Sequence, residues 1–139
     1  MNPLGGLVVG VALLAWGCRG GRDLAGLPPY PEAFQREWFD AQRDLAKGDA
    51  DEAYAKLANC ALMEPDEPAI PFQMGKIDGD AKRHSAALVH LNRAVALGGN
   101  DPWMRHYRAL SLLALQDVTG AAKDVLYLEI GRASCRERV

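Results

Sequence analysis

Cysteine is scarce in this chain of 139 residues, which has three, an odd number spread along its whole length. Such a set forms neither the disulfide framework of a small secreted domain nor a paired zinc-ligand pattern. Neither sign of charge is in large excess, with 16 lysines and arginines against 18 acidic residues and a net charge of −2. The chain therefore lacks the cationic surface with which proteins bind the nucleic-acid backbone, and we predict no nucleic-acid partner.

Motifs for catalysis and for metal binding are also missing. No two of the histidines, which are His84, His90 and His106, have the four-residue spacing that places two metal ligands on one face of a helix. The sequence contains no glycine-rich phosphate loop and no glycine-flanked nucleophilic serine. We therefore predict that the protein is not an enzyme and has no cofactor, no metal and no small-molecule substrate.

Apolar residues are concentrated near the N-terminus, where Leu4 to Trp16 contains no charged residue. This run is shorter than the roughly 20 helical residues that cross a membrane, but it suits the apolar centre of a secretory signal. Its end at Gly17-Cys18 resembles the lipobox of bacterial lipoproteins, in which the cysteine is lipidated and becomes the new N-terminus. Residues 1–18 would then be the signal peptide, and the Gly/Pro-rich residues 19–32 a flexible tether.

Two features depart from the lipobox pattern, since Trp16 is bulky where a small residue is usual and no Lys or Arg precedes the apolar run. A signal peptide without lipidation, an uncleaved anchor and a cytoplasmic protein with a buried N-terminal segment remain alternatives. The lipoprotein interpretation places the chain on the periplasmic side of the bacterial cell envelope, with Cys18 as the lipidation site. Arg19 stands where lipoproteins retained in the inner membrane commonly have Asp, which favours the outer membrane.

The last residues, 129–139, read EIGRASCRERV and resemble the codon-for-codon translation of a common sequencing adapter. We therefore treat them as an artefact and exclude them from the prediction of the fold. The natural protein is then expected to continue beyond Leu128. A genuine basic C-terminal tail is the alternative.

Between these ends, the sequence repeats every 34 residues without an insertion. A period of this length is typical of stacked helical hairpins. Residues of similar character share five columns of this register: Ala41, Gly75 and Ala109; Ala53, Ala87 and Ala121; Leu57, Leu91 and Val125; Cys60, Ala94 and Leu128; Pro65 and Gly99. Because Cys60 shares its repeat position with the apolar residues Ala94 and Leu128, we predict that it is a small buried core residue and not a nucleophile.

Each repeat has the apolar spacing of two amphipathic helices. The predicted helices are Phe34–Lys47, Ala50–Met63, Ala69–Ile77, Ala81–Leu97, Pro102–Leu115 and one that begins at Val118. The predicted turns lie at Gly48-Asp49, Asp78-Gly79-Asp80 and Gln116-Asp117, and Asp101 is the expected N-cap before Pro102. The small residues at columns 41/75/109 and 53/87/121 should mark close contacts within each hairpin, and the larger residues at 57, 91 and 125 should fill the space between hairpins.

The segment from Lys47 to Ala53, with its Gly-Asp turn and Asp-Glu-Ala helix start, closes at Pro65 and closely resembles a tetratricopeptide repeat (TPR). Met74-Gly75 resembles the paired large and small residues in the first helix of that family. The resemblance covers residues 33–128 and implies an all-α, TPR-type α-solenoid of about three helix-turn-helix repeats (34–67, 68–101 and an incomplete 102–128). The second repeat departs most, with Lys82 in place of the turn glycine and Pro71 early in its first helix.

In that family the first helix of each repeat lines a concave groove that binds an extended or helical peptide. The resemblance therefore implies a concave binding face made of Trp38, Gln42, Phe72, Lys76, Trp103, His106 and Leu110. Aromatic side chains are enriched at binding hot spots, although packing between repeats would explain Trp38 and Trp103 equally well. The family's basic clamp for chaperone C-terminal carboxylates is not reproduced, because Trp38, Phe72 and His106 stand where a Lys or Asn is needed.

We predict an exported, lipid-anchored TPR scaffold that binds a protein or peptide partner in the cell envelope. One alternative is the N-terminal targeting module of a larger envelope enzyme. Another is a structural module that associates with itself through an uncapped apolar end of the solenoid.

Overall fold

The structure is a computed structural model that describes residues 30–99 and 101–136, with side-chain surroundings as far as Ile130. Within these ranges the chain forms six helices: α1 (Glu32–Lys47), α2 (Ala50–Met63), α3 (Ala69–Asp80), α4 (His84–Gly98), α5 (Pro102–Ala114) and α6 (Val118–Arg136). Each helix packs against the next one in the chain, so α1–α2, α3–α4 and α5–α6 are three hairpins stacked in sequence order. This arrangement confirms the predicted all-α solenoid of helix-turn-helix repeats.

The predicted signal peptide, with the predicted lipidation site Cys18, and most of the predicted tether lie outside the described residues. Helix α6 continues past Leu128 as far as Arg136. Across the described ranges, none of the helices has the length and hydropathy needed to cross a bilayer.

The turns within the three hairpins share one geometry. Gly48, Lys82 and Gln116, which are 34 residues apart in sequence, all adopt a positive φ, of 90°, 63° and 63°. The residue after each of them donates its backbone N–H to a carbonyl five residues back, at 2.8–2.9 Å. This is the Schellman arrangement, which ends a helix with a left-handed residue.

The predicted turn at Asp78-Gly79-Asp80 is wrong, because these residues form the last turn of α3 and the chain turns at Ala81 and Lys82 instead. The physical reason is a hydrogen bond from the Arg83 N–H to the Asp78 carbonyl. This bond ends α3 at the same position of the repeat as the bond from Asp49 to Asp44 ends α1. Consequently α4 begins at His84 and not at Ala81. The predicted N-cap is confirmed, since the Asp101 carboxylate accepts hydrogen bonds from the backbone N–H groups of Trp103 and Met104.

The columns of small residues lie where the two helices of each hairpin approach most closely, as predicted. Ala41, Ala53 and Ala87 are fully buried. At Gly75 the approach is so close that an added Cβ would lie 2.6 Å from Cγ of Leu91. Any side chain at this position of α3 would therefore push α4 away.

The larger residues of this column are buried in the first two hairpins. Leu57 is 0% exposed and belongs to a core cluster that includes Ile70 of the next hairpin, whereas Leu91 is 1% exposed and faces Gly75 of its own hairpin. The prediction that this column lies between hairpins therefore holds for Leu57 and stays a prediction for Leu91. Val125, in the same column, is 45% exposed. In the described part of the chain no hairpin follows α6 to cover it.

Candidate functional site

The structure places every residue of the predicted binding face on α1, α3 or α5, the first helices of the three hairpins. It divides them into two groups. Phe72, Lys76, Trp103, His106 and Leu110 lie around Tyr107 at the contact between α3 and α5. Trp38 and Gln42 lie on α1, outside this group.

A cluster of rings and one ammonium group forms the centre of the first group, which we call the α3–α5 cluster (Phe72, Lys76, Trp103, His106, Tyr107 and Leu110). The Phe72 and Tyr107 rings meet edge to face, with centroids 5.5 Å apart. Lys76 Nζ lies over both rings, 5.7 Å from the centroid of Phe72 and 5.2 Å from that of Tyr107. These contacts are within the range of cation–π attraction, which holds the ammonium group at the surface of the rings.

The cluster continues along α5 through further ring contacts. His106 meets Tyr107 with centroids 5.7 Å apart, and Trp103 meets His106 with centroids 6.1 Å apart. Phe72 is half-buried and packs on the core residues of α4 and α5, so it anchors the cluster to the fold. Trp103 and Leu110 are 64% and 49% exposed and therefore present apolar area to solvent.

The two tryptophans of the predicted face have different surroundings. Trp38 is half-buried, stacks on Phe34 with centroids 6.2 Å apart and packs against the core of the first hairpins. Packing therefore accounts for Trp38. Trp103 projects into solvent from the first turn of α5, and packing does not account for it.

Gln42 lies at the contact of α1 with α3, where its side-chain oxygen accepts a hydrogen bond of 3.4 Å from Gln73. Its amide nitrogen is buried without a hydrogen-bond partner among the described residues. Trp38 also borders a cleft of about 360 Å³. Its other walls include Tyr30, Phe39 and Glu67.

Tyr107 is the residue of the cluster that the sequence analysis missed. The predicted face consisted of Trp103 and the residues at repeat positions 38/72/106 and 42/76/110. Tyr107 lies at the adjacent repeat position, which it shares with Phe39 and Gln73. An aromatic residue directly beside His106 was a signal for it, because a broad groove uses two neighbouring columns of a helix.

Buried carboxylates lie behind this face, and each is paired with a base. Asp44 of α1 accepts hydrogen bonds from Lys56 and Lys47, and Lys56 holds the pKa of the Asp44 carboxyl below its usual value. Asp78 of α3 accepts two from Arg83, at 2.7 and 2.9 Å. These pairs join the helices of a hairpin or close its turn and are structural.

Cys60 and His90 have surroundings that account for them by packing and hydrogen bonding. Burial raises the pKa of the Cys60 thiol, which disfavours the nucleophilic thiolate. His90 is hydrogen-bonded to the Tyr54 hydroxyl at 2.9 Å, between α4 and α2. Across residues 30–99 and 101–136, no three His, Cys, Asp or Glu side chains are grouped so that they would hold a metal ion.

The chain is similar to the first TPR of Spaghetti (RPAP3), solved with the HSP90 peptide SRMEEVD bound, with a TM-score of 0.66 and 22% sequence identity over 69% of this chain and 76% of that one. It is also similar to a chain of the CopN–Scc3 complex, with a TM-score of 0.67 and 14% identity over 79% of this chain and 69% of that one. No protein-family profile and no curated protein matches the sequence. These likenesses show that the fold is the predicted TPR-type α-solenoid.

Proposed function

We propose that this chain is an interaction scaffold that binds a polypeptide along α1, α3 and α5, with the α3–α5 cluster at the centre of the binding face. Trp103 is the observation that carries the proposal, since a large aromatic side chain is 64% exposed beside further rings on a rigid helix. Buried aromatic anchors dominate the energy of many protein interfaces. The RPAP3 domain was solved with an HSP90 peptide bound, and the other similar chain belongs to the CopN–Scc3 complex, which supports this use of the fold.

The other members of the cluster suit the same role. Lys76 has no ion-pair partner among the described residues, and its ammonium group stays available above the two rings. Leu110, one helical turn after His106, extends the apolar strip along α5. A polypeptide laid across α3 and α5 would therefore meet apolar contacts flanked by a positive charge.

Site-specific photocrosslinking in cells tests the binding face. A photoreactive phenylalanine at position 103 or 110 should give one discrete adduct, because a bound polypeptide would cover both positions. Val89 on α4 and Leu62 on α2, which are 68% and 85% exposed, are the matched control positions on second helices. Equal yields of the same adduct at 62 or 89 would refute the assignment of the face.

Once the partner is identified, its affinity for the purified chain measures the contribution of the exposed indole. Trp103→Ala should weaken binding about tenfold or more, as expected for an aromatic hot spot. Because Trp103 is exposed, the helical circular dichroism of the Trp103→Ala variant should equal that of the wild type. Trp38→Ala, in contrast, would also disturb the core. Leu62→Ala on α2 is the control substitution. An unaltered affinity in Trp103→Ala would exclude Trp103 as an anchor.

The scaffold acts, in this proposal, at the periplasmic side of a bacterial envelope, held in the outer membrane by a lipid on Cys18. The apolar segment before Gly17-Cys18 and the Gly/Pro-rich residues after it support this location. Metabolic labelling with a palmitate analogue should mark the chain, and Cys18→Ser should remove the label. Label retained by the serine variant would rule out lipidation at Cys18.

Self-association is a second candidate function, and the exposure of Val125 favours it. The equivalent residues Leu57 and Leu91 are buried, whereas Val125 and the nearby Leu126 are 45% and 62% exposed on α6. A second copy would bury this surface. Light scattering should then show a concentration-dependent dimer that Val125→Lys disrupts. A monomer at all concentrations would exclude this function and leave partner binding unaffected.

A further inference from the structure

A second candidate site is the cleft that Trp38 borders, near the start of the described part of the chain. It has a volume of about 360 Å³, which is within the roughly 300–1,000 Å³ of small-molecule sites. We call it the aromatic cleft, because rings form much of its lining. The lining residues are Tyr30, Phe34, Gln35, Trp38, Phe39, Glu67 and Ala69, and none of them belongs to the α3–α5 cluster.

Three of the four rings follow one another along the chain at intervals of four residues. The rings of Tyr30 and Phe34 stack with centroids 4.8 Å apart, and those of Phe34 and Trp38 stack with centroids 6.2 Å apart. Phe34 is 4% exposed and belongs to the core, whereas Tyr30 and Phe39 are 47% and 66% exposed. The aromatic cleft therefore has a buried ring fixed by the fold and two rings that a ligand can reach from solvent.

Among the described residues that line the cleft, Glu67 is the charged one. Its carboxylate accepts a hydrogen bond from the Tyr30 hydroxyl at one oxygen and one of 3.1 Å from the Ala69 backbone N–H at the other. The hydrogen bond to Glu67, together with burial, raises the pKa of Tyr30 to about 12, so the phenol stays neutral. Glu67 forms no ion pair with a described residue. A negative charge without a counter-charge is thus held beside the rings.

The rings and the carboxylate attract a cation, and the free hydrogen-bond acceptors decide which kind. An ammonium or guanidinium group that leaves water needs an acceptor for each N–H. In the cleft, both oxygens of Glu67 and the carbonyl of Tyr30 already accept hydrogen bonds from the protein, the last one from Gln35 at 2.6 Å. A quaternary ammonium group has no N–H and is bound by ring contacts and charge, so it matches these surroundings best.

We infer that the aromatic cleft binds the quaternary ammonium group of a free small cation. Such a ligand would place its methyl groups against the rings and its charge beside Glu67. The headgroup of phosphatidylcholine matches less well, because its phosphate would lie near the carboxylates of Glu67 and Glu64, both of which act on Tyr30. This site would give the chain a ligand that does not depend on its polypeptide partner.

The test titrates the full chain with choline at constant ionic strength and follows the indole N–H signals of its tryptophans by ¹⁵N–¹H NMR. The signal of Trp38 should shift and saturate, whereas that of Trp103, an indole outside the cleft, should not. The neutral isostere of choline, in which a tert-butyl group replaces the trimethylammonium group, should cause no saturable shift. Equal shifts with choline and with this isostere would overturn the inference.

Two conservative variants separate the contributions of charge and of the rings. Glu67→Gln removes the charge and should weaken choline binding about fivefold or more. Phe39→Leu keeps an apolar side chain but removes a ring, and it should weaken binding about threefold or more. Glu52→Gln, at an exposed position in the first turn of α2, is the matched control and should bind choline as the wild type does.

Ala69→Trp is the variant that fills the cleft. Ala69 occupies the repeat position at which the next hairpin has Trp103, so helical circular dichroism should be retained while the saturable shift is lost. Choline binding retained in both Ala69→Trp and Glu67→Gln would overturn the inference.

Two further arms test the source of the quaternary ammonium group. Binding to phosphatidylcholine vesicles that choline displaces would assign the group to a lipid, and tighter binding of a trimethyllysine peptide would assign it to a polypeptide. Either result would overturn the assignment to a free small cation. Since the choline titration uses no polypeptide, its failure is distinct from a failure of crosslinking at position 103.

Discussion

Arg108 of α5 donates two hydrogen bonds to the carboxylate of Asp124 on α6, from Nε at 2.7 Å and from Nη2 at 2.6 Å. Arg105 adds a third, from Nη1 at 3.1 Å. The Asp124 side chain is 2% exposed, so these donors take the place of water around the carboxylate. The third hairpin is thus joined by a bidentate ion pair between its helices.

Removing this carboxylate should destabilise the fold strongly. Asp124→Ala would leave two half-buried guanidinium groups without their acid, and we expect a loss of about 3 kcal/mol in the free energy of unfolding, measured with urea. Asp40→Ala is the control, because Asp40 pairs with an Arg43 side chain that is 61% exposed. It should cost about 1 kcal/mol or less, and equal losses in the two variants would contradict the buried-pair interpretation.

The pair of Asp44 and Lys56 should make stability depend on pH at both extremes. Its hydrogen bond lowers the pKa of Asp44 from the usual 3.8 and raises the pKa of Lys56 from the usual 10.5. The contribution of Asp44 is therefore complete above pH 3.8 and lost as pH falls through its lowered pKa. The contribution of Lys56 is complete below pH 10.5 and lost as pH rises through its raised pKa.

Comparing the wild-type chain with Lys56→Gln checks this dependence. The difference between their free energies of unfolding should be largest near about pH 7 and should shrink in strong acid and in strong base. Lys123→Gln, at an exposed position of α6, should differ from the wild type equally at every pH. A Lys56→Gln difference that stays constant into strong acid would show that the pair does not titrate on folding.

The left-handed turn residues offer a stabilising change. Lys82 and Gln116 both have a φ of 63°, a conformation that costs a residue with a side chain roughly 1 kcal/mol or more. Lys82→Gly and Gln116→Gly should each raise the free energy of unfolding by about 1 kcal/mol. Gly48→Ala, at a φ of 90°, should lower it by a similar amount, and a gain in that variant would contradict the argument.

Two glycines of α3 should respond oppositely to the same substitution. Gly75→Ala would place a Cβ 2.6 Å from Cγ of Leu91, so we expect a loss of about 1–3 kcal/mol from forced repacking. Gly79→Ala meets only the Ser111 oxygen at 3.9 Å, so its better helix propensity should add about 1 kcal/mol. Thermal unfolding of both variants checks the pair, and a shift of both melting temperatures in one direction would contradict it.

The repeat register explains why so much of the fold could be predicted. The buried alanines of the repeat and the start of α6 at Val118 were predicted correctly, because both depend on spacing along the chain. Asp78-Gly79-Asp80 was misassigned because these residue types favour turns, whereas the helix end is set by the column of Gly48, which Lys82 occupies against its preference. Register outweighed composition at this turn.

The candidate site was predictable only in outline. The resemblance identified the helices that carry the binding face, but it did not separate Trp38, which packs on the core, from the exposed Trp103. That difference depends on which neighbours cover each indole. Likewise, Ser111 of α5 faces Gly79 of α3, a contact between helices that no local pattern of the sequence encodes.

The direction of the buried ion pairs also bears on how the chain avoids misfolding. In the first hairpin the acid is on the first helix, as Asp44, and the base on the second, as Lys56; in the third hairpin Arg108 and Asp124 reverse this order. If α1 paired with α6, two aspartates would meet, and if α5 paired with α2, arginine would meet lysine. Repeat proteins are prone to misassembly during folding, and this reversal penalises the exchange of helices between hairpins by like-charge repulsion.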